Sequence, residues 1–207
     1  MEMDNRRMMG ECVGSMTVTL VVWGTALAAG DDSGAPHQGA VAAAAAGVTL
    51  AIMWMTFRGS EILPILTIGN MASGRTDWQV GALNFSMQIL GALIAAAIMG
   101  WQGANIFEVD SGAAAFGATG AAMALLGGFL LMTVWDRLGG GWEAGAFAAV
   151  LVVAGINLAS ASSIGGMIVD GAWADADFVR IIGTLILGGI GAWGAVEFGK
   201  QVLGEEE

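Results

Sequence analysis

Long apolar segments alternate with short polar segments along this chain. Crossing the hydrocarbon core of a bilayer as a helix takes about 20 apolar residues. Six segments reach or approach that length, and they lie at residues 10–30, 38–57, 78–100, 113–135, 141–158 and 178–200. The fifth segment is the shortest. This pattern predicts an all-α membrane protein with six transmembrane helices.

Two further apolar segments, at about residues 62–72 and 160–169, are too short to cross a bilayer. Short apolar segments in a membrane protein are candidates for re-entrant helices, and their backbone must be shielded by protein or face water. One follows the second predicted span and the other follows the fifth. We therefore predict two re-entrant half-helices around a water-filled cavity.

The two short segments resemble each other in sequence. Residues 67–71 read Thr-Ile-Gly-Asn-Met and residues 163–167 read Ser-Ile-Gly-Gly-Met. Because three spans lie in each half, the halves must insert with opposite topology, an arrangement that recurs around transmembrane permeation sites. The sequence thus predicts a single channel domain over residues 1–207, with a first inverted repeat at 10–100 and a second at 113–200.

Composition supports a membrane location and argues against several functions. Charged residues make up 12% of the chain, whereas soluble domains carry about 25%. The net charge of −11 argues against nucleic acid binding, which takes a basic surface. The sequence holds no nucleotide-binding loop, catalytic carboxylate pair or metal-ligand spacing, so we expect no enzyme activity, no cofactor and no metal.

The basic residues predict the orientation of the chain in a plasma (inner) membrane. Cytoplasmic N- and C-termini place only Arg180 on the outer side, in agreement with the positive-inside rule. The residues then on the cytoplasmic side are Arg6, Arg7, Arg58, Arg75, Arg137 and Lys200. The outer loops are acidic, with Asp31, Asp32, Glu108 and Asp110 among them. A cleavable signal peptide is the alternative to the first span, but Glu11 would interrupt its apolar region.

The order of residues resembles the aquaporin (major intrinsic protein) family over nearly the whole chain. Residues 10–15 (GECVGS) are similar to the family's A-E-F-x-G-T, and residues 59–67 (GSEILPILT) to its G-x-H-x-N-P-A-V-T. Further similarities are S-G-R at 73–75, Q-x-L-G-A at 88–92, and the pairs Asp136-Arg137 and Glu197-Phe198. The resemblance implies the aquaporin-like fold, a passive pore and a homotetramer with one pore per subunit.

The chain departs from the family at both Asn-Pro-Ala motifs and at the selectivity filter. Aligning Gly165 without gaps puts Ala159 at the second Asn and Ser162 at the filter Arg. An alternative register starts the second motif at Asn157, but it leaves too few residues for the fifth span. The pore and selectivity positions that the resemblance implies are Ala43, Leu63, Pro64, Ile65, Ala159, Ser160, Ala161 and Ser162.

These departures predict a wider and less polar pore. Ser162 in place of Arg and Ala43 in place of an aromatic ring enlarge the constriction, and Leu63 makes its centre apolar. We therefore expect an aquaporin-like channel for water or small neutral solutes. One alternative is a cation channel, which the missing Arg and the acidic outer loops favour. Another is a non-conducting structural protein in which Leu63 seals the midplane.

Two acidic residues have separate interpretations. Glu11 lies within a predicted span, where an acid is unfavourable unless it is paired. The resemblance implies that Glu11 braces a re-entrant loop, and we group Gln88 with it. Glu61 replaces a His at the cytoplasmic pore mouth, where it either attracts cations and senses pH or is a solvated acid that pairs loosely with Arg58. We favour the solvated pair.

Overall fold

The computed structural model describes residues 5–29, 38–101, 116–156, 158–170 and 175–203. These residues form eight α-helices and, within these ranges, no strand, in agreement with the predicted all-α class. The helices are α1 (Asn5–Ala29), α2 (Gln38–Thr56), α3 (Pro64–Ala72), α4 (Trp78–Trp101), α5 (Ala118–Leu138), α6 (Trp142–Val153), α7 (Ala161–Asp170) and α8 (Asp175–Leu203). The outer-loop acids Asp31, Asp32, Glu108 and Asp110, and Asn157 of the alternative register, lie outside the described residues.

Among the residues that the structure describes, three helices are long and apolar enough to cross a membrane, namely Trp78–Trp101, Ala118–Leu138 and Phe178–Gly199. Ala40–Thr56 and Trp142–Val153 are shorter apolar helices. Large apolar side chains are exposed on several helices, among them Ile52, Leu90, Leu126 and Ile186. An apolar exterior of this kind is compatible with an integral membrane protein, because lipid rather than water would surround it.

The fifth predicted span ends earlier than its apolar pattern indicates. The prediction covers residues 141–158, whereas α6 ends at Val153. Gly155 adopts a φ of +82°, a left-handed conformation that glycine adopts without strain. The N–H of Ile156 then donates to the carbonyl oxygen of Leu151 at 2.9 Å, which caps the helix. The apolar residues after this cap therefore belong to the connection to α7.

The packing of the first four helices recurs in the last four. Helix α1 packs mainly against α4, and α5 packs mainly against α8. The short helix α3 packs against α8, while α7 packs against α4, and α2 packs against α6. Exchanging α1 with α5, α2 with α6, α3 with α7 and α4 with α8 interchanges the α1–α4 and α5–α8 interfaces and the α3–α8 and α4–α7 interfaces, and it maps the α2–α6 interface onto itself.

Glycine contacts of the short helices follow the same exchange at the level of residues. A Cβ atom on Gly69 of α3 would lie 2.6 Å from the Cβ of Ala192 in α8. A Cβ atom on Gly165 of α7 would lie 2.9 Å from the Cβ of Ala92 in α4. Gly69 and Gly165 are therefore equivalent, and they are the glycines that the sequence repeat aligns.

A second pair of glycines relates the long helices. Gly91 of α4 packs against the backbone carbonyl of Cys12 in α1, and Gly191 of α8 packs against that of Leu125 in α5. A position in α1 thus corresponds to the position 113 residues later in α5 (125 − 12), and a position in α4 to the one 100 residues later in α8 (191 − 91). These offsets allow the two halves to be compared residue by residue.

Candidate functional site

A cavity of about 360 Å³ lies between α1, α2, α6 and the starts of α3 and α7. Water occupies about 30 Å³ in the liquid, and small-molecule sites span about 300–1,000 Å³. The cavity is therefore large enough for a small organic solute. Its lining side chains are aliphatic apart from the hydroxyls of Ser160, Ser162 and Ser163, and none of them is ionisable.

Half of the predicted pore residues line this cavity. Ala43, Leu63, Ser160 and Ser162 are among its lining residues. The other predicted pore residues do not line it, and they are buried or partly buried elsewhere in the packing: Pro64, Ile65, Ala159 and Ala161. The structure thus brings together a position in α2 and the starts of the short helices α3 and α7.

The short helices α3 and α7 both begin at the cavity wall. Leu63 is the N-cap of α3, and Pro64 occupies its first turn, where the missing N–H and the fixed φ are favourable. At α7, the hydroxyls of Ser160 and Ser162 are hydrogen-bonded to each other. A helix N-terminus carries a positive partial charge. The cavity therefore meets two such ends and no carboxylate among its lining residues.

Glu11 of α1 is hydrogen-bonded to the segment that precedes α3. Its fully buried carboxylate accepts hydrogen bonds from the backbone N–H groups of Glu61 (2.6 Å) and Ile62 (2.7 Å). Gln88 Nε2 donates to the same carboxylate at 2.7 Å and to Thr67 Oγ1 at 2.9 Å. These bonds connect α1, α3 and α4 to the segment. We predict that these bonds stabilise the segment, and measurements of protein stability in variants of Glu11 test this prediction.

The segment contains one residue in a strained conformation. Ile62 has a φ of +62°, a region that β-branched residues rarely adopt. Its side chain is buried against α1, where a Cβ atom on Gly14 would lie 2.7 Å from Ile62 Cδ1. The next N–H, that of Leu63, donates to the carbonyl oxygen of Glu61 at 2.6 Å. This turn directs the chain into α3 and places Leu63 at the cavity.

Glu61 is not the solvated acid that we predicted. Its side chain is 1% exposed, and its ion pair is with Arg7 of α1, at 3.0 Å between Nη2 and Oε1, rather than with Arg58. Asn70 Nδ2 donates to the same oxygen at 2.8 Å, and Trp54 Nε1 donates to the Glu61 carbonyl at 2.9 Å. The prediction was wrong because it placed Glu61 in an exposed loop, whereas the segment folds back between helices.

Sequence reasoning missed Arg7 and Asn70 as partners of Glu61. Arg7 is 54 residues from Glu61 along the chain, so spacing does not reveal the contact. The sequence contains one weak indication that Arg7 lies near this segment. Arg7 is four residues before Glu11, and residues at that spacing share a helix face. Asn70 is the one amide side chain in α3, whose other side chains are apolar apart from that of Thr67. Isolated polar residues in apolar helices have to find partners when they are buried.

The second half joins its helices differently at the equivalent positions. In the first half, Ser15 Oγ donates to the backbone carbonyl of Gln88 at 2.7 Å. The offsets make Gly128 the equivalent of Ser15 (15 + 113) and Gly188 the equivalent of Gln88 (88 + 100). Gly128 packs directly against the carbonyl of Gly188. A side-chain hydrogen bond in one half therefore corresponds to a close backbone contact in the other.

No protein-family model matches this chain, and no curated protein matches its sequence.

Proposed function

We propose that this protein is an aquaporin-like passive channel for small neutral solutes and water. The observation that carries the proposal is the cavity of about 360 Å³ at the starts of both half-helices, with aliphatic walls and serine hydroxyls. Selectivity in such pores depends on diameter, on lining hydrogen-bonding groups and on electrostatic barriers. The hydroxyls of Ser160 and Ser162 would bind the polar groups of a solute, and the aliphatic wall would contact its carbon atoms.

The membrane architecture that accompanies this function is six spans and two re-entrant half-helices in an inverted repeat. The recurring helix interfaces support it, and so does the equivalence of Gly69 and Gly165. In this arrangement α1, α2, α4, α5, α6 and α8 would span the membrane, and α3 and α7 would enter from opposite sides. Broken helices that meet near the midplane form permeation sites in other transport proteins.

Neutral solutes suit the cavity better than cations do. An ion loses hydration energy in an apolar environment unless charged or strongly polar groups replace its water. The cavity lining supplies no carboxylate, and the positive ends of α3 and α7 oppose a cation. We therefore rank the neutral-solute channel above the cation channel.

Light scattering from proteoliposomes after an osmotic step tests the proposal. We expect faster shrinkage than in empty liposomes with an impermeant osmolyte, and fast reswelling when glycerol replaces it. A parallel recording under a membrane potential should show no current. Current with monovalent cations would identify a cation channel instead, and shrinkage at the rate of empty liposomes would contradict the facilitator.

The buried position of Leu63 favours a second candidate, a sealed fold that conducts nothing. Leu63 is 3% exposed and lies where the cavity meets α3. In a sealed protein, Leu63→Ser would create solute flux that the wild type lacks, because a polar group favours water at the constriction. Leu63→Met, which keeps an apolar side chain of similar volume, is the matched control. Flux already present in the wild type would exclude the sealed protein.

We also propose a homotetramer in the plasma (inner) membrane with both termini cytoplasmic. The distribution of basic residues supports the orientation, and the resemblance to aquaporins supports the tetramer. Reporter fusions at the C-terminus would establish the orientation, and native mass spectrometry of the detergent-solubilised protein would establish the number of subunits. An outward C-terminus or a monomer would contradict this part of the proposal.

A further inference from the structure

A second cavity, of about 180 Å³, lies on the exposed side of the interface between α2 and α6. We call it the lateral pocket, and its lining residues are Ala44, Val48, Trp142, Ala146 and Ala149. None of these side chains is charged, and those of Val48 and Trp142 belong to residues that are 43% and 55% exposed. The positions recur at helical spacing on each helix, so they share one face of it. The lateral pocket is therefore an apolar recess on the exterior of the helix bundle.

The lateral pocket and the larger cavity meet at Ala149. This half-buried residue lines both of them, and among the described residues it is the one that the two linings share. Beside it, α2 packs tightly against α6. A Cβ atom on Gly47 would lie 2.5 Å from the carbonyl oxygen of Gly145 and 2.7 Å from the Cβ of Ala149. The residues at this junction thus carry no side chain larger than a methyl group.

The two linings have the same chemistry on either side of the junction. Every residue that α2 and α6 contribute to the larger cavity is aliphatic or glycine, among them Ala46, Leu50 and Val152. The hydroxyls of that cavity belong to the start of α7 instead. An ion would lose its hydration along an apolar route without compensation, whereas apolar cavities bind apolar molecules such as benzene or xenon. A route past Ala149 would therefore select uncharged molecules that consist mainly of hydrocarbon.

We propose that the lateral pocket is an entrance through which small apolar molecules dissolved in the bilayer reach the larger cavity. The proposal rests on the proposed membrane architecture, in which α2 and α6 span the bilayer and their exposed face contacts lipid. A molecule would leave the lipid, occupy the lateral pocket and pass beside the Ala149 methyl group. A short-chain alcohol has suitable chemistry, because its single hydroxyl would bond to Ser160 or Ser162 inside the cavity.

A second copy of the chain is the other occupant to consider for the lateral pocket. A protein surface would cover the recess, but it would make no use of the junction at Ala149. The shared lining therefore favours a small molecule that occupies one cavity and then the other.

Photolabelling at different mixing times tests the entrance. An entrance controls how fast the cavity fills and does not change its final occupancy, because an equilibrium constant does not depend on the route. The probe is a hexanol that carries a photoreactive diazirine. It is mixed with the full-length protein in liposomes and photolysed after a short or a long time, and mass spectrometry locates the adducts. In the wild type we expect early adducts both at Val48 in the lateral pocket and at Leu50 and Leu63 in the larger cavity.

Filling the lateral pocket should slow the labelling of the larger cavity. Ala146→Phe places a ring in the lateral pocket at an exposed position that does not line the larger cavity. Early labelling of Leu50 and Leu63 should be about tenfold slower than in the wild type, because the ring must be displaced from a packed recess. Long mixing should restore the wild-type level, which shows that the cavity is intact.

Two further variants complete the comparison. Val150→Phe is the matched control and should label at the wild-type rate, because Val150 is 60% exposed on the same helix and lines neither cavity. Ala44→Phe fills the lateral pocket from α2 and should slow labelling as Ala146→Phe does. It decides the question if Ala146→Phe fails to reach the wild-type level after long mixing.

Three results would overturn the proposal. Labelling of the larger cavity at the wild-type rate in both filled variants would mean that the probe enters from water. No adduct in that cavity of the wild type at any time would mean that it does not take apolar molecules. No adduct at Val48 would mean that the lateral pocket is covered, as it would be by a second copy of the chain. Failure of the channel would appear separately, as absent glycerol flux.

Discussion

The two halves of the molecule use different chemistry at equivalent positions. In the first half, Glu11 and Gln88 connect three helices to the segment before α3 through buried hydrogen bonds. Their equivalents are Ala124 (11 + 113), which is 3% exposed, and Gly188 (88 + 100). The second half therefore packs small residues closely where the first half has a polar network. Helix interfaces can recur while the bonds within them differ.

The difference extends to the cavity. The start of α3 contributes Leu63 to the cavity wall, and the start of α7 contributes Ser160 and Ser162. In the proposed channel, hydrogen bonds to a solute would come from the second half, and the apolar contact of Leu63 would come from the first. Substitutions at equivalent positions in the two halves should have unequal effects, and the largest should come from the polar network.

The largest loss of stability is expected for Glu11→Ala. The change leaves three buried donors without their acceptor, and each such donor costs about 1–3 kcal/mol. The equivalent change in the second half, Ala124→Gly, should cost only about 1 kcal/mol from helix propensity. Unfolding of the detergent-solubilised protein measures both. Val13→Ala, at a half-buried position of α1, is the control. Equal losses at positions 11 and 124 would contradict the comparison.

A smaller loss is expected where the second half packs most closely. Gly128→Ser would force a side chain against the carbonyl of Gly188, and overpacking of this kind costs about 1–3 kcal/mol. Ser15→Ala in the first half removes one hydrogen bond, worth about 0.5–1.5 kcal/mol. Gly24→Ser is the control, because a Cβ atom there meets nothing within 4 Å. Thermal unfolding should rank Gly128→Ser as the most destabilising of these changes, and the reverse order would refute the assigned equivalence.

The sequence predicts the helices more reliably than their contacts. Apolar segments place the helices, because hydrophobicity is a property of neighbouring residues. The pattern misses the end of α6, because the turn depends on the backbone conformation of Gly155 within an apolar stretch. The sequence also wrongly indicates that Glu61 is a solvated acid. The burial of Glu61 and its ion pair with Arg7 depend on how α1 packs against a segment that is distant along the chain. The roles of Glu11 and Gln88 came from a family resemblance and stay predictions.

The smallest effect is expected at the exposed ion pair between Arg75 and Asp136, which joins the turn after α3 to the end of α5. Both side chains are 40% exposed, so solvent and salt screen the attraction. Arg75→Met should cost less than about 1 kcal/mol. Unfolding at low and high salt should show that the difference from the wild type shrinks as salt is added. A loss as large as that of Glu11→Ala would mean that this pair, and not the buried network, holds α3 in place.

If solute passes through the cavity as proposed, glycerol flux into proteoliposomes should depend on the side chains that line it, and two matched variants of α2 measure this dependence. Ala46 lines the cavity, whereas Ala44 is exposed on the same helix. We predict fast reswelling for the wild type and for Ala44→Phe, and reswelling at the rate of empty liposomes for Ala46→Phe, because the ring fills the cavity. Fast flux that Ala46→Phe leaves unchanged would show that solute does not use this cavity.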